Sequence, residues 1–254
     1  MRLAYLGSGS RGNAALIEHG DTLVMLDCGF SATETEKRLR RSGREPGDIS
    51  AVLVTHEHSD HASGVLRFAA RHQIPVFLTR GTAWAIRAQA YAHVRYISAH
   101  EPFEVGSLTV RPLPVPHDAR EPCQFVFEAD AQRLGVLTDA GHLTSHLCAA
   151  LADCDALAVE CNHDADMLAV GPYPAALKRR VGGALGHLSN SQAAQLVALQ
   201  DRARLQWLVG VHLSEQNNTP LRAREALSAA LGHHATPVFL AEQEAGLDWL
   251  ELAR

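Results

Sequence analysis

The chain reads as an α/β protein in which two β-sheets are covered by helices. Three observations predict this class. Short apolar and β-branched runs crowd the beginning of the chain, and later runs of the same kind alternate with segments of helical pattern. The third is bulk composition: 254 residues, 46% hydrophobic and 20% charged, supply the core of a single domain, 1–254. No linker, low-complexity segment or sequence repeat divides it.

The elements follow in order. RLAYL (2–6), NAALIEH (13–19) and DTLVMLDCG (21–29) are short strands, the last two joined by a turn at His19-Gly20-Asp21. SATETEKRLRR (31–41) is a helix with a serine cap. ISAVLVT (49–55) is a buried strand, followed by a helix over 60–72. IPVFLT (74–79) and SLTVRPLPV (107–115) are strands with a helix over 80–91 between them. CQFVFEA (123–129) and RLGVLTD (133–139) form a hairpin, and DALAVE (155–160) is another buried strand. The last third alternates helices (189–203, 220–231) with strands (205–213, 236–241).

A formal net charge of −5 excludes a globally basic nucleic-acid binder, so any such contact needs a local basic face. No apolar run approaches the roughly 18 residues of a membrane helix, and no charged-then-apolar leader opens the chain. A soluble, cytoplasmic protein with no membrane contact is expected. The five cysteines are scattered without a C-x-x-C pair, which predicts reduced, mostly buried thiols and no disulfide framework.

LGSGSRGN (6–13) contains G-x-G-x-x-G at Gly7, Gly9 and Gly12. A dinucleotide fingerprint must open a helix, whereas the residues after Gly12 alternate and turn like a hairpin. Asp27 also falls about five positions short of the usual ribose-binding acid. The loop is therefore read as a turn between strands, and no dinucleotide cofactor is expected.

The strongest signal is THEHSDH (55–61), which holds His56, His58, Asp60 and His61. On extended backbone His56 and His58 point the same way, and Asp60 and His61 approach from the start of the next helix. Neutral imidazole and carboxylate suit zinc, manganese or iron(II). His117, Asp139 and His212 each end a predicted strand ahead of a polar or glycine-containing turn, where sites gather in α/β folds.

H-x-H-x-D-H followed by a lone His, Asp and His resembles the ligand order of the metallo-β-lactamase superfamily. LGSGSRGN, LDCGFS, THEHSDH, ECNHDADML, GPYPAALKRRVGGALGHLSN and VHLSEQNNTP resemble its YycJ/WalJ group along nearly the whole chain. The resemblance implies an αββα sandwich with the site at the edge between two mixed sheets. It also implies two divalent metal ions, zinc or manganese. His56, His58 and His117 would hold one ion, and Asp60, His61 and His212 the other, with Asp139 bridging. An Asp at 139 differs from the β-lactamases that carry a Cys there. Asp27 would support a ligand loop without touching metal.

Similarity to the transfer-RNA 3′-processing ribonucleases implies that Glu160 orients His187 as a proton donor. The bland alternative is that His187 caps the helix at Ser189 and Glu160 is a satisfied strand-end carboxylate. His163 and Asp164 fit either a surface loop or the site edge. The activity implied is phosphodiester hydrolysis of a DNA-exonuclease kind: the metals acidify a shared water, Asp60 takes up its proton, and His187 protonates the departing oxygen. Basic clusters at 36–44 and 177–183 are candidate phosphate contacts, Lys178, Arg179 and Arg180 before the others, together with Ser8 and Asn13 of the glycine loop. A small-molecule hydrolase acting on a cyclic phosphodiester, thioester or lactone is the alternative, favoured by the negative charge and few aromatic residues. A non-catalytic metal-binding protein is disfavoured by the complete donor set.

Overall fold

The computed structural model describes residues 1–253. The first half runs β1 (Arg2–Gly7), β2 (Ala14–His19), β3 (Thr22–Leu26), α1 (Ala32–Arg41), β4 (Ala51–Leu53), α2 (Ser59–Ala62), α3 (Val65–His72), β5 (Val76–Leu78), α4 (Arg80–Ala85) and β6 (Val94–Tyr96). Next come β7 (Phe103–Val105), β8 (Leu108–Pro114), β9 (Cys123–Ala129), β10 (Gln132–Leu137), α5 (Ser145–Leu151), β11 (Ala156–Glu160), α6 (Ala165–Val170) and α7 (Ala175–Val181). The remainder is α8 (Asn190–Ala198), β12 (Trp207–Val211), α9 (Pro220–Leu231), β13 (Val238–Leu240) and β14 (Leu247–Glu251).

Two seven-stranded sheets result, ordered β14-β1-β2-β3-β4-β5-β6 and β13-β12-β11-β10-β9-β8-β7. In the first, β14 to β3 pair antiparallel and β3 to β6 parallel. The second has the same grammar, antiparallel from β7 to β10 and parallel from β10 to β13. A repeat invisible in the residues is thus present in the topology. Leu3, Ile17 and Leu53 of one sheet join Phe125, Phe127 and Val209 of the other in the shared core. Leu39 and Phe68 cover the outer face of the first sheet, and Leu147, Leu196 and Leu227 that of the second. This is the expected αββα arrangement.

The expected helix over 60–72 is two helices. The Asp60 carbonyl that should accept from Gly64 N–H is taken by Asn13 N–H at 2.7 Å, and Gly64 N–H goes to the Cys28 carbonyl at 2.8 Å. The sequence reading missed β6, β7 and β14 and the helices α5, α6 and α7. Ser31 caps α1, as its position predicted, and Ser189 opens α8 through a capping box with Gln192.

Candidate metal centre

Both sheets switch from antiparallel to parallel pairing at their central strand, β3 in one and β10 in the other, and loops that follow those strands and their parallel neighbours build the site. Residue 27 leaves β3, 55–61 leave β4, 139 leaves β10, 160 ends β11 and 212 leaves β12. Asp27, Asp139 and His212 all have left-handed backbone, with φ of 61°, 45° and 55°. Such conformations cost about 1–3 kcal/mol each in a non-glycine residue and persist where surrounding contacts enforce them.

His56, His58 and His117 offer donor atoms within 4.8 Å of one another, as do Asp60, His61, Asp139 and His212. Asp139 is 1% exposed, with four imidazoles around its carboxylate. His61 Nε2 lies 2.7 Å and His56 Nε2 3.3 Å from Oδ2, while His212 Nδ1 lies 2.6 Å and His187 Nδ1 3.2 Å from Oδ1. Asp60 Oδ2 lies 3.3 Å from His212 Nε2 and 3.5 Å from His61 Nε2.

Other contacts fix the ring faces. His61 Nδ1 bonds Asp27 Oδ2 at 2.7 Å, leaving Nε2 facing the cluster. His117 Nδ1 donates to the Gly186 carbonyl at 2.9 Å, leaving Nε2 facing His58 Nδ1 at 3.2 Å. Thr55 was not singled out from the sequence, yet its N–H and hydroxyl both donate to Asp27 and its hydroxyl lies 3.0 Å from His56 Nδ1. Only its place beside the first histidine could have drawn attention to it.

The donor chemistry fits divalent cations. His56 Nε2 and Asp139 Oδ1 are buried without a hydrogen bond of acceptable angle, as ligand lone pairs would be. Burial, then the neighbouring charge of His61, holds His56 well below its usual value, and burial lowers His117, so both present neutral rings. Burial alone would raise Asp139, but His212 and His61 hold it well below the carboxylate range. A cation would take the place of the protons those two imidazoles carry.

Glu160 is fully buried at the end of β11. Its Oε2 accepts Ala140 N–H at 3.1 Å and Leu188 N–H at 3.0 Å, and Oε1 bonds His187 Nδ1 at 2.7 Å and lies 3.1 Å from His212 Nδ1. Burial works against a charged His187, but the Glu160 charge, the hydrogen bond that Glu160 accepts from it and the nearby Asp139 carboxylate push it up to about 9. Ser189, rather than His187, caps α8.

Ser8 and Asn13, expected as candidate phosphate contacts, are buried against the donors. Ser8 is 2% exposed and accepts His212 N–H at 2.8 Å. Asn13 is 5% exposed, clasps Gly9 through both ends of its amide and lies 3.1 Å from His61 Nε2. Gly9 and Gly12 adopt φ of 147° and 149°, open only to glycine, so the loop can fold under the site between antiparallel β1 and β2. Gly29 is needed for closeness: a Cβ there would lie 1.8 Å from the Asp60 carbonyl oxygen.

Lys178, Arg179 and Arg180 ride on α7. Arg180 is bound to Asp118 at 2.6 Å, and Asp118 lies 3.7 Å from His58 Nε2, so its charge reaches the site edge already paired. Lys178 Nζ donates to the Ala169 carbonyl at 2.6 Å, and Arg179 is exposed. His163 is buried behind the site with Nδ1 unpartnered, and Asp164 caps α6. The motifs around them form a buried asparagine network. Asn162 donates to the His212 carbonyl, and Asn218 to the Cys161 carbonyl and Asn190.

Fold and site together define a metallo-hydrolase. The chain belongs to the β-lactamase superfamily domain family, whose model matches residues 22–212. It is similar to exodeoxyribonuclease YycJ of Bacillus anthracis, 31% identical over 91% of this chain and 89% of that protein. It is also similar to exodeoxyribonuclease WalJ of Streptococcus pneumoniae, 30% identical over 85% of this chain and 83% of that protein. Among solved structures, the metallo-β-lactamase fold protein YhfI of Bacillus subtilis superposes with a TM-score of 0.77 at 16% identity, covering 98% of this chain and 99% of its own.

Proposed function

We propose that the chain is a two-metal phosphodiesterase that degrades DNA from an end, in the manner of an exonuclease. The observation that carries this reading is the unbroken donor set around Asp139 with the Glu160–His187 pair beside it. The identity with two exodeoxyribonucleases along most of the chain supports DNA as the polymer. A cytoplasmic location is part of the proposal: all five cysteines are free, and among the described residues no helix is long and apolar enough to cross a membrane.

His56, His58 and His117 would hold one cation and Asp60, His61 and His212 the second, with Asp139 shared. Zinc or manganese, when bound, neutralises phosphate oxygens and supplies a water acidic enough to attack at neutral pH. Asp27 holds the His61 ring, and Ser8 fixes the His212 backbone. Asp60, the most exposed of the second group, accepts the proton released by the attacking water. Glu160 keeps His187 charged, so its ring donates a proton to the departing oxygen. Lys178 and Arg179, on α7 beside the Asp118-bound Arg180, are the side chains assigned to phosphate contact in this reading.

Metal analysis of the purified protein, followed by a panel of DNA, RNA, bis-p-nitrophenyl phosphate, a cyclic nucleotide and a thioester, tests the reading. Two equivalents of metal and cleavage of DNA are expected. Hydrolysis of the thioester or the cyclic nucleotide alone would replace this reading with a small-molecule hydrolase. His187→Ala should lower kcat by about 10²–10⁴ with metal content unchanged, whereas loss of metal in that variant would remove its role as acid.

A further inference from the structure

Beyond the metal centre, the surface formed by α4, β6 and the loop after His117 pairs exposed aromatic rings with arginines. Trp84 is 60% exposed, and the Arg120 guanidinium lies over its ring at 4.0 Å. Tyr96, on the edge strand β6, is 44% exposed beneath Arg80 at 4.6 Å. Residues 80–96 contain three arginines and no carboxylate, in a chain whose net charge is −5. Among the described residues, Arg80, Arg87, Arg95 and Arg120 make no ion pair, in contrast to Arg180 with Asp118. One lone exposed tryptophan is ordinary; two exposed rings, each under an unpaired guanidinium, combine the side chains that stack on bases and pair with phosphates.

This surface is tied to the site. Arg120 is three residues past His117, and its N–H donates to Glu57, which lies between His56 and His58, at 2.8 Å. The next residue, Glu121, accepts Gly81 N–H at 2.6 Å, and its carbonyl accepts the Thr79 hydroxyl at 2.8 Å, locking the loop to the start of α4. Three residues span about 10 Å at most, so the platform begins within a few nucleotides of the donors.

We propose that Trp84 and Tyr96, with Arg80, Arg87 and Arg120, form a platform that binds unpaired DNA leading to the metal centre by stacking on bases and pairing with phosphates. The proposal rests on the nuclease reading and adds a preference for single strands, because paired bases in a duplex cannot offer their faces to a ring.

The test is fluorescence anisotropy of the metal-loaded protein with a fluorescein-labelled thymidine 20-mer carrying hydrolysis-resistant phosphorothioate links, and with a duplex of equal length. Trp84→Ala should weaken single-strand binding by roughly ten-fold or more, with a loss below about three-fold for the duplex. Trp84→Phe should retain most of the affinity, and Arg120→Ala should flatten the dependence of log affinity on log salt by about 0.7. Leu221→Ala, an exposed apolar change on α9, is the control and should bind as wild type. Unchanged single-strand binding by Trp84→Ala, in a protein that still cleaves DNA, overturns the platform and leaves the nuclease reading standing. Equal losses on single strand and duplex overturn the single-strand preference. A wild type that neither binds nor cleaves any polynucleotide overturns both.

Discussion

Asp27 and Asp139 occupy the same place in the two sheets: each follows the strand at which antiparallel pairing gives way to parallel, and each has left-handed backbone. Their side chains do different work. Asp27 is saturated by its own sheet, accepting from the Thr55 N–H, the Thr55 hydroxyl and His61. Asp139 faces imidazoles from both sheets and leaves one oxygen without a well-formed hydrogen bond. One strained turn is used twice, once as a brace and once, on the proposed reading, as a metal donor.

The comparison breaks most sharply at Asp139. Asp139→Gly would relax its backbone yet remove the carboxylate proposed to be shared, so metal content should drop and the proposed DNA cleavage should fall by at least about 10²–10³. Metal quantification beside a rate assay checks this; retained metal and rate would mean that Asp139 is only structural. Asp27→Asn keeps the shape and loses the charge facing His61, which should weaken metal affinity by about 10–100-fold with the fold intact. Competition with a fluorescent chelator measures it, and an effect as large as that at Asp139 would erase the distinction between brace and donor.

A smaller effect compares the two hairpins that lead into these strands. The β2–β3 turn uses Gly20 at φ 56°, while the β9–β10 turn holds Asp130 and Ala131 at φ 48° and 63°. Ala131 is exposed, so Ala131→Gly should stabilise by about 1 kcal/mol, raising the Tm by about 2–4 °C without changing activity. The smallest effect lies in the helical cover of the first sheet. Glu36 of α1 bonds His72 and Arg71 of α3, which hold its carboxyl below the usual range. Its folded value is depressed, so its stabilisation is present above the ordinary carboxylate pKa and is lost as pH falls through the lowered one. Glu36→Gln should lower stability by roughly 0.2–1 kcal/mol at pH 7, with the gap closing below about pH 4 in thermal melts.

Much of the site was legible because metal chemistry needs particular side chains at fixed offsets: THEHSDH compresses four donors into one loop. His117, Asp139 and His212 were legible because each follows an apolar run. Thr55 and Asn13 carry no such signature, since a hydroxyl or amide acquires its role only from what folding brings against it. Ser8 looks like a phosphate contact when its loop is taken by resemblance alone, while its hydroxyl is spent on a backbone N–H 204 residues away. In the fold, buried runs such as ALAVE and WLVGV gave themselves away, whereas β14, none of whose residues is fully buried, resembles a loop. The break between α2 and α3 depends on a carbonyl claimed by Asn13, a competition that helical periodicity does not register.

The donors are divided between the halves of the chain. His56, His58, Asp60 and His61 follow a strand of the first sheet, while His117, Asp139 and His212 follow strands of the second, with Glu160 and His187 beside them. Ser8 of one sheet grips His212 of the other. A nascent chain carrying only its first hundred residues would hold four of the proposed ligands and no complete centre. On the proposed reading, completion of the sandwich would act as a safety catch, with hydrolytic power arriving only together with the finished fold.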